Sequence, residues 1–222
     1  MNDLGKAFSF PFKDPSWGSK FLLGAVFMLL SIVVVGIFIL AGYFVQVTQR
    51  VMRREANPMP EWTDIGVKLV LGFKFCVVYF VYIFPILLLY IPFVAIMVHG
   101  TFSGESEAVG AVAGLYSILM VVLIFPYALA LALLTPSITF RFAEHERISD
   151  GLDIGGIFRT FKQNWQNHTI VALIAVGLQS FAGIGIILFL IGIFVTVFYS
   201  YLVSAHMYGS LYLEQVQEGV PS

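Results

Sequence analysis

The sequence predicts an all-α integral membrane protein: one membrane domain over residues 1–222, built as a bundle of about six transmembrane helices. Hydrophobic residues make up 59% of the chain and charged residues 11%, and the mean hydropathy is +0.91, far from the composition of water-soluble domains. The apolar residues also form continuous tracts, each at least as long as the roughly 20 residues that a helix needs to cross a bilayer. These tracts run over residues 21–47, 69–98, 108–142 and 169–205.

The basic residues are confined to three segments of the chain. These are Lys6, Lys13 and Lys20; then Arg50, Arg53, Arg54, Lys68 and Lys74; then Arg141, Arg147, Arg159 and Lys162. The connections 99–107 and 179–186 and the tail after residue 208 contain no Lys or Arg. By the positive-inside rule, the three basic segments and the C-terminus face the cytoplasm, and the two connections lie on the other side.

A degenerate motif recurs within these basic segments, at the start of an apolar tract. The three copies are Asp3-Leu4-Gly5 with Phe12-Lys13, Asp64-Ile65-Gly66 with Phe73-Lys74, and Asp153-Ile154-Gly155 with Phe161-Lys162. Trp17 and Trp165 follow the first and third copies. Chance similarity in a Phe- and Gly-rich chain is the alternative. A true repeat predicts three hairpin units, at 1–62, 63–150 and 151–222, each preceded by a cytoplasmic-side interfacial segment.

The third copy has the spacing of an amphipathic helix. Apolar side chains recur every three or four residues from Ile154 to Trp165, and Arg159 and Lys162 take the other face. Asp150 or Asp153 can cap its N-terminus. Such a helix is expected in the headgroup plane, where its basic residues favour anionic lipid. The predicted membrane-interface residues are Trp17, Trp62, Phe158, Phe161, Lys162 and Trp165.

The number of crossings depends on the first tract. Residues 20–54 contain no polar break, only Ser31 and Gly36, so a single tilted span competes with a hairpin. A single span gives five crossings and puts the first basic segment outside, against the charge rule. A hairpin gives six crossings with both ends in the cytoplasm, which is the arrangement we expect. The other two hairpins are expected to turn at "HGTFSGESEA" and "LQSFAGIG".

Four prolines lie inside the second and third tracts, at Pro85, Pro92, Pro126 and Pro136. Each removes a backbone donor and is expected to bend or break its helix. Because neighbouring helices can satisfy the freed carbonyls, a packing role is favoured over the opening of a cavity.

Groups that carry chemistry are sparse in this sequence. All 13 acidic residues lie in connections or tails, which weighs against an ion-coupled transporter or pump. No catalytic residue, metal ligand set or cofactor site is predicted, because no nucleophile stands with a base and no ligands stand at metal-site spacing. His206 is a candidate cofactor ligand, against the alternative of a hydrogen-bonded histidine near the interface. A candidate patch for a partner or anionic lipid comprises Arg50, Arg53, Arg54 and Glu61.

Three segments resemble the DUF4013 family of prokaryotic multi-pass membrane proteins. They are "FSFPFKDPSWGSKFLLG", "LAGYFVQVTQRVMRREANPMPEWTDIG" and "VFYSYLVSAHMYG". The family pattern has a Gly-Tyr, a basic stretch, then Leu-Pro-Glu-Trp-Asp and Gly; here Met59 and Thr63 depart from it. Members often carry a proline in the middle of the first tract, where this chain has Ile32. The resemblance implies the prokaryotic cytoplasmic membrane, and it carries no functional residues because the family's activity is unknown.

The expected function is that of a non-enzymatic scaffold or accessory subunit that packs against other membrane proteins or copies of itself within the lipid bilayer. No nucleic-acid partner is expected. A binding protein or conduit for lipid or another apolar ligand is the alternative, because kinked helices and many Phe residues suit an apolar cavity. A membrane enzyme is a third hypothesis. Clustering of His206 with His168 or His145 and an acid would support it.

Overall fold

The computed structural model describes residues 4–103, 106–182 and 191–217, and every regular element in these ranges is a helix. The helices are α1 (Leu4–Ser9), α2 (Trp17–Leu30), α3 (Val35–Met52), α4 (Ile65–Ser103), α5 (Ser106–His145), α6 (Ile148–Leu152), α7 (Ile154–Gln163), α8 (Trp165–Ala182) and α9 (Ile191–Gln217). The described part therefore confirms the all-α prediction. The expected second turn, at residues 99–108, includes residues 104–105, and the expected third turn, at residues 178–185, includes residues 183–185; these five residues lie outside the described residues.

Three helices of the described part are long and apolar enough to cross a membrane, over Val35–Met52, Ile65–Phe102 and Val109–His145. A fourth candidate is the pair Gly5–Lys13 and Trp17–Val33, which is bent by 100°. These helices are compatible with a membrane protein. By length and composition they amount to three or four candidate spans, fewer than the six crossings expected from the sequence.

The first apolar tract forms two helices rather than one. After α2, a 3₁₀ turn covers Ser31–Val33, and Val34 has a φ of 67° before α3 begins. This conformation is unfavourable for a β-branched residue, so the turn depends on packing rather than on local preference. Gly36 permits that packing, because a Cβ atom there would overlap the backbone carbonyl of Phe27.

The chain divides into two compact units. Unit 1 comprises Met1–Val78 and Leu133–Ser222, and in it α9 packs against α2, α3 and α8. Tyr43, Phe198 and Leu202 are fully buried at the centre of this packing. The Thr48 hydroxyl donates a hydrogen bond to the Ala205 carbonyl at 3.1 Å, which ties α3 to α9.

Within unit 1, two glycines bring the backbones of α3 and α4 into contact. A Cβ atom on Gly42 would overlap the backbone of Lys68, and one on Gly72 would overlap the carbonyl of Phe38. Small residues allow helix backbones to approach closely, which increases the van der Waals contact that holds membrane helices together. The Gly-Tyr pair at residues 42–43 therefore makes two contacts: Gly42 lies against the backbone of α4, and Tyr43 lies in the core of unit 1.

The second copy of the repeated motif forms no separate segment before its helix. Helix α4 begins at Ile65 and continues without a break through Phe73 and Lys74. The first and third copies instead lie on short helical segments, and a longer helix then begins at Trp17 or Trp165. The second copy therefore has no separate short helix before its long helix.

Unit 2 comprises Tyr79–Ala132, where α4 and α5 run in opposite directions. The Tyr127 hydroxyl donates to the Tyr82 carbonyl at 2.6 Å, and the Tyr116 hydroxyl donates to the Leu89 carbonyl at 2.8 Å. Each of these carbonyls lies three residues before a proline of α4.

A proline removes one amide donor and crowds the preceding turn, so each tyrosine of α5 supplies a donor to a weakened turn of α4. The helix accordingly stays continuous through Pro85 and Pro92. Of the two expected effects, bending or breaking, a break does not occur at Pro85 or Pro92. The contact of the preceding carbonyls with a neighbouring helix agrees with the packing role.

Replacing Tyr127 or Tyr116 with Phe removes one of these donors and keeps the ring. We expect each change to lower the free energy of unfolding by about 0.6 kcal/mol, the average for interhelical hydrogen bonds in a membrane protein. Tyr90→Phe is the matched control, because Tyr90 also lies on α4 and its side chain is 47% exposed. Unfolding in detergent followed by circular dichroism measures the difference. Equal losses in all three variants would contradict the role given to the two hydroxyls.

Candidate functional site

Lys20 is a charged residue buried in unit 1, with a side chain that is 3% exposed. Its Nζ lies 2.7 Å from Asp14 Oδ2, 2.6 Å from Glu61 Oε1 and 3.1 Å from the carbonyl oxygen of Met59. An ammonium group has three donors, and all three are used here. A buried charge with no partner costs several kcal/mol, so the two carboxylates make the position of Lys20 possible. We call Asp14, Lys20, Met59 and Glu61 the Lys20 cluster.

The two carboxylates of the Lys20 cluster differ in environment. Asp14 is 6% exposed, and its Oδ1 accepts hydrogen bonds from the amide and hydroxyl of Ser16, at 2.8 and 2.7 Å. Burial opposes ionisation of this carboxyl, but the hydrogen bonds from Lys20 and Ser16 outweigh it and hold the pKa of Asp14 below its ordinary value. The Glu61 side chain is 63% exposed, so the solvent screens its ion pair.

Trp62 packs beside the Lys20 cluster. Its indole stacks on the ring of Tyr43, with centroids 4.2 Å apart, and on the ring of Phe27 at 4.7 Å. The indole N–H donates to the Lys20 carbonyl at 3.1 Å. Trp62, predicted at the membrane interface, is thus packed between α2 and α3. The Pro60-Glu61-Trp62 stretch joins both helices, as a structural clamp would.

The predicted basic patch is divided by these contacts. Arg50 donates to the carbonyls of Asn57 and Met59, both at 3.4 Å, and it pairs with Glu55 at 3.5 Å. Glu61 pairs with Lys20. The other two members of the patch, Arg53 and Arg54, lie exposed on the surface. Two of the four predicted patch residues, Arg50 and Glu61, therefore make contacts within unit 1.

A second buried polar pair joins α5 to α8. Ser137 Oγ lies 2.7 Å from His168 Nε2, and His168 Nδ1 lies 3.0 Å from the Asn164 carbonyl. Because a carbonyl only accepts, Nδ1 carries the proton and Nε2 accepts from the Ser137 hydroxyl. A serine beside a histidine is also the arrangement of an activated nucleophile. Both side chains are 0% exposed here, and their hydrogen bond connects α5 to α8.

Lys20 and His168 occupy the same place in two copies of the repeated motif. Each lies three residues after the tryptophan that follows its copy, Trp17 or Trp165, and each is buried one turn into the helix. Sequence reasoning missed both as buried groups. The signal that could have revealed them is a polar residue at the same offset in both copies.

The other histidines lie in separate surroundings. The ring of His206 is 4.6 Å from that of Phe10, its Nδ1 is 3.3 Å from Ser210 Oγ, and it is 9% exposed. His145 lies 3.1 Å from Asp150. Across the described residues, no three His, Cys, Asp or Glu side chains come together as a metal site would need. The clustering that would support the enzyme hypothesis is thus not seen among them.

The other predicted interface residues are largely uncovered. Trp17 is 44% exposed, Phe158 47% and Trp165 56%, whereas Phe161 is half-buried. Lys162 is exposed, and its Nζ lies 4.9 Å above the ring of Phe158. The N-terminus of α7 is capped by Asp153, the second of the two predicted candidates, whose Oδ1 accepts from the amide of Gly156 at 3.1 Å.

Lys20→Met leaves Asp14 buried without its charged partner. We expect a loss of about 3 kcal/mol in the free energy of unfolding, the lower range for breaking a buried ion pair. Lys13→Met is the matched control, since Lys13 is exposed in the same segment and its replacement is expected to change little. Thermal unfolding in detergent followed by tryptophan fluorescence measures both. If Lys20→Met lowers the free energy of unfolding no more than Lys13→Met does, the structural role of Lys20 is refuted.

Comparison with known proteins places the chain in a family. No curated protein and no solved structure matches it. One family model does match, described as a protein of unknown function (DUF4013), and it covers residues 25–197, which is more than half of the chain. The matched region contains the Gly-Tyr step, the Pro60-Glu61-Trp62 stretch and His168. The chain therefore belongs to the DUF4013 family of proteins of unknown function.

Proposed function

We propose that this chain is a non-enzymatic integral membrane protein that acts as a scaffold or accessory subunit by packing against other membrane proteins. The observation that carries the proposal is the exposure of the two longest helices. The most apolar window of Ile65–Phe102 is 0% buried and that of Val109–His145 is 6% buried, compared with 56% for Val35–Met52. Unit 1 thus covers much of its own apolar surface, whereas these two helices leave theirs open.

The uncovered surface of unit 2 consists of large apolar side chains. Examples are Leu115 at 72% exposure, Phe125 at 70%, Val121 at 66% and Ile118 at 64%. In water, such a surface would drive association. In a bilayer it meets lipid at no cost and is available for van der Waals packing against other transmembrane helices. Unit 2 is therefore the part that we expect to meet another subunit or a second copy of the chain.

We infer six membrane crossings, formed by α2 with α3, α4 with α5, and α8 with α9. Support for the first pair comes from the turn at Ser31–Val33 and from the packing of α2 on α3. Trp17–Val33 spans roughly 25 Å at 1.5 Å per residue, slightly less than the hydrocarbon thickness of about 30 Å. Local thinning of the bilayer accommodates such a short span. Packing of α8 on α9 supports the third pair.

The proposed cytoplasmic side is the end of unit 1 where the three basic segments meet. Lys20 joins the first segment to the second through Glu61 and Met59. Further hydrogen bonds, at 2.8–3.3 Å, link Gln49 to Ala143 and Glu146, Tyr212 to Glu144, and Gln215 to Thr160. By the positive-inside rule this end faces the cytoplasm, together with the end of α9 and the C-terminus. We place α7 there, in the headgroup plane.

Introduced cysteines test this arrangement, in a chain whose own thiol is removed by Cys76→Ala. We expect Ser19→Cys and Ser149→Cys to react with a membrane-impermeant maleimide only after permeabilisation, because both lie in basic segments. Thr101→Cys is expected to react in intact spheroplasts. All three residues are exposed in the structure. Labelling of Ser19→Cys in intact spheroplasts would instead indicate five crossings and overturn the six.

The scaffold proposal is tested by purifying the tagged chain from its native membrane in mild detergent and identifying co-eluting proteins and lipids by mass spectrometry. We expect a stoichiometric membrane-protein partner or a homo-oligomer. Leu115→Trp, in the exposed surface of unit 2, is expected to reduce the partner's stoichiometry because the larger side chain disturbs helix packing. Leu173→Trp is the matched control, since Leu173 is 60% exposed on α8 of unit 1.

Two outcomes of this purification contradict the proposal. A monodisperse chain with one enriched apolar lipid and no protein partner would favour the lipid-binding function instead. A partner lost equally with Leu115→Trp and Leu173→Trp would show that unit 2 is not the docking surface.

A further inference from the structure

Helix α7 presents three different faces, and the first faces the protein. Gly156, Ile157 and Thr160 are buried, with Ile157 only 1% exposed. The Thr160 carbonyl accepts a hydrogen bond from Gln215 of α9 at 3.3 Å. This face fixes α7 along one side of unit 1, so the orientation of its other faces is set by the fold.

The second face of α7 is apolar and uncovered. Ile154 is 69% exposed and Phe158 is 47% exposed, and Trp165, at the start of α8, is 56% exposed. The spacing of four residues places Ile154 and Phe158 on one side of α7. An aromatic and aliphatic row of this kind is suited to the acyl-chain boundary of a membrane.

The third face, which borders the apolar one, carries the basic side chains. Arg159 and Lys162 are exposed, and the Lys162 ammonium lies 4.9 Å above the ring of Phe158. This cation–π contact holds the ammonium at the border between the apolar face and the basic face. The nearby carboxylate of Asp153 is occupied elsewhere, because it caps the amide of Gly156 and pairs with Arg141 at 2.9 Å. The basic face therefore keeps its positive charge.

We propose that α7 binds the phosphate group of an anionic phospholipid, with Arg159 and Lys162 contacting the phosphate and Phe158 and Ile154 lying against the acyl chains. Charge complementarity selects the anionic headgroup, and the adjoining apolar row selects a lipid over an acidic protein surface. This inference rests on the proposed membrane placement of the chain. The inference adds one lipid-binding site of stated chemistry to that placement.

The test uses the full chain in nanodiscs of phosphatidylcholine with increasing phosphatidylglycerol, and native mass spectrometry counts the phosphatidylglycerol that stays bound. The double variant Arg159→Gln, Lys162→Gln is expected to weaken binding about thirtyfold, from about 1 kcal/mol for each basic residue near the surface. Lys13→Gln, Arg147→Gln is the matched control, because it removes one lysine and one arginine from exposed residues outside α7 and is expected to leave binding unchanged. Lys162→Arg keeps the positive charge, and its guanidinium can also lie over Phe158, so this variant is expected to bind as the wild type does.

Several outcomes would overturn the inference. Equal binding by the wild type and the α7 double variant would show that α7 is not the binding site. Equal loss of binding in both double variants would show a general effect of charge and no specific site. Capture of an acidic protein through Arg159 and Lys162, without any difference in lipid, would assign the face to a protein partner. If the double variant misfolds, Lys162→Gln alone is compared with Lys162→Arg. Failure of the wild type to enter nanodiscs of either composition would instead count against the membrane placement.

Discussion

The buried ammonium group of Lys20 is the constraint on which much of unit 1 depends. A charge at 3% exposure requires acceptors, and the chain supplies them from two separate places. Asp14 comes from the segment before α2, and Met59 and Glu61 come from the loop before α4. Once that loop is held there, Trp62 stacks on Tyr43 of α3 and bonds the backbone of α2. The Lys20 cluster thus connects the segment before α2 to the loop before α4, and the adjoining Trp62 packs against α3.

The two units satisfy their polar groups in different ways, and this difference bears on function. Unit 1 uses ion pairs, backbone contacts at glycines and a buried serine–histidine pair, all directed inward. In unit 2, two tyrosine hydroxyls reach carbonyls ahead of prolines, and the large apolar side chains remain on the outside. This difference is the basis of the proposal that unit 2 packs against other membrane chains.

The repeated motif gains a physical meaning from the buried side chains. Lys20 and His168 stand three residues after Trp17 and Trp165, and both connect the first turn of a long helix to another part of unit 1. The partners differ, since Lys20 has carboxylates and His168 has a hydroxyl and a carbonyl. The second copy lacks a separate short helix and instead brings its backbone against α3 at Gly72.

The sequence by itself determined the helical class, the apolar tracts and the amphipathic α7 with a cap at Asp150 or Asp153, because these follow from hydropathy, periodicity and local capping. It left the break in the first tract open, since nothing polar or flexible marks Val34, where packing forces a positive φ. It also could not show that Lys20 is buried, because burial depends on carboxylates that lie six and forty-one residues away in the chain. Only the tertiary structure decided these points, since it alone brings distant segments into contact and thereby sets which charges are neutralised and which apolar surfaces stay uncovered.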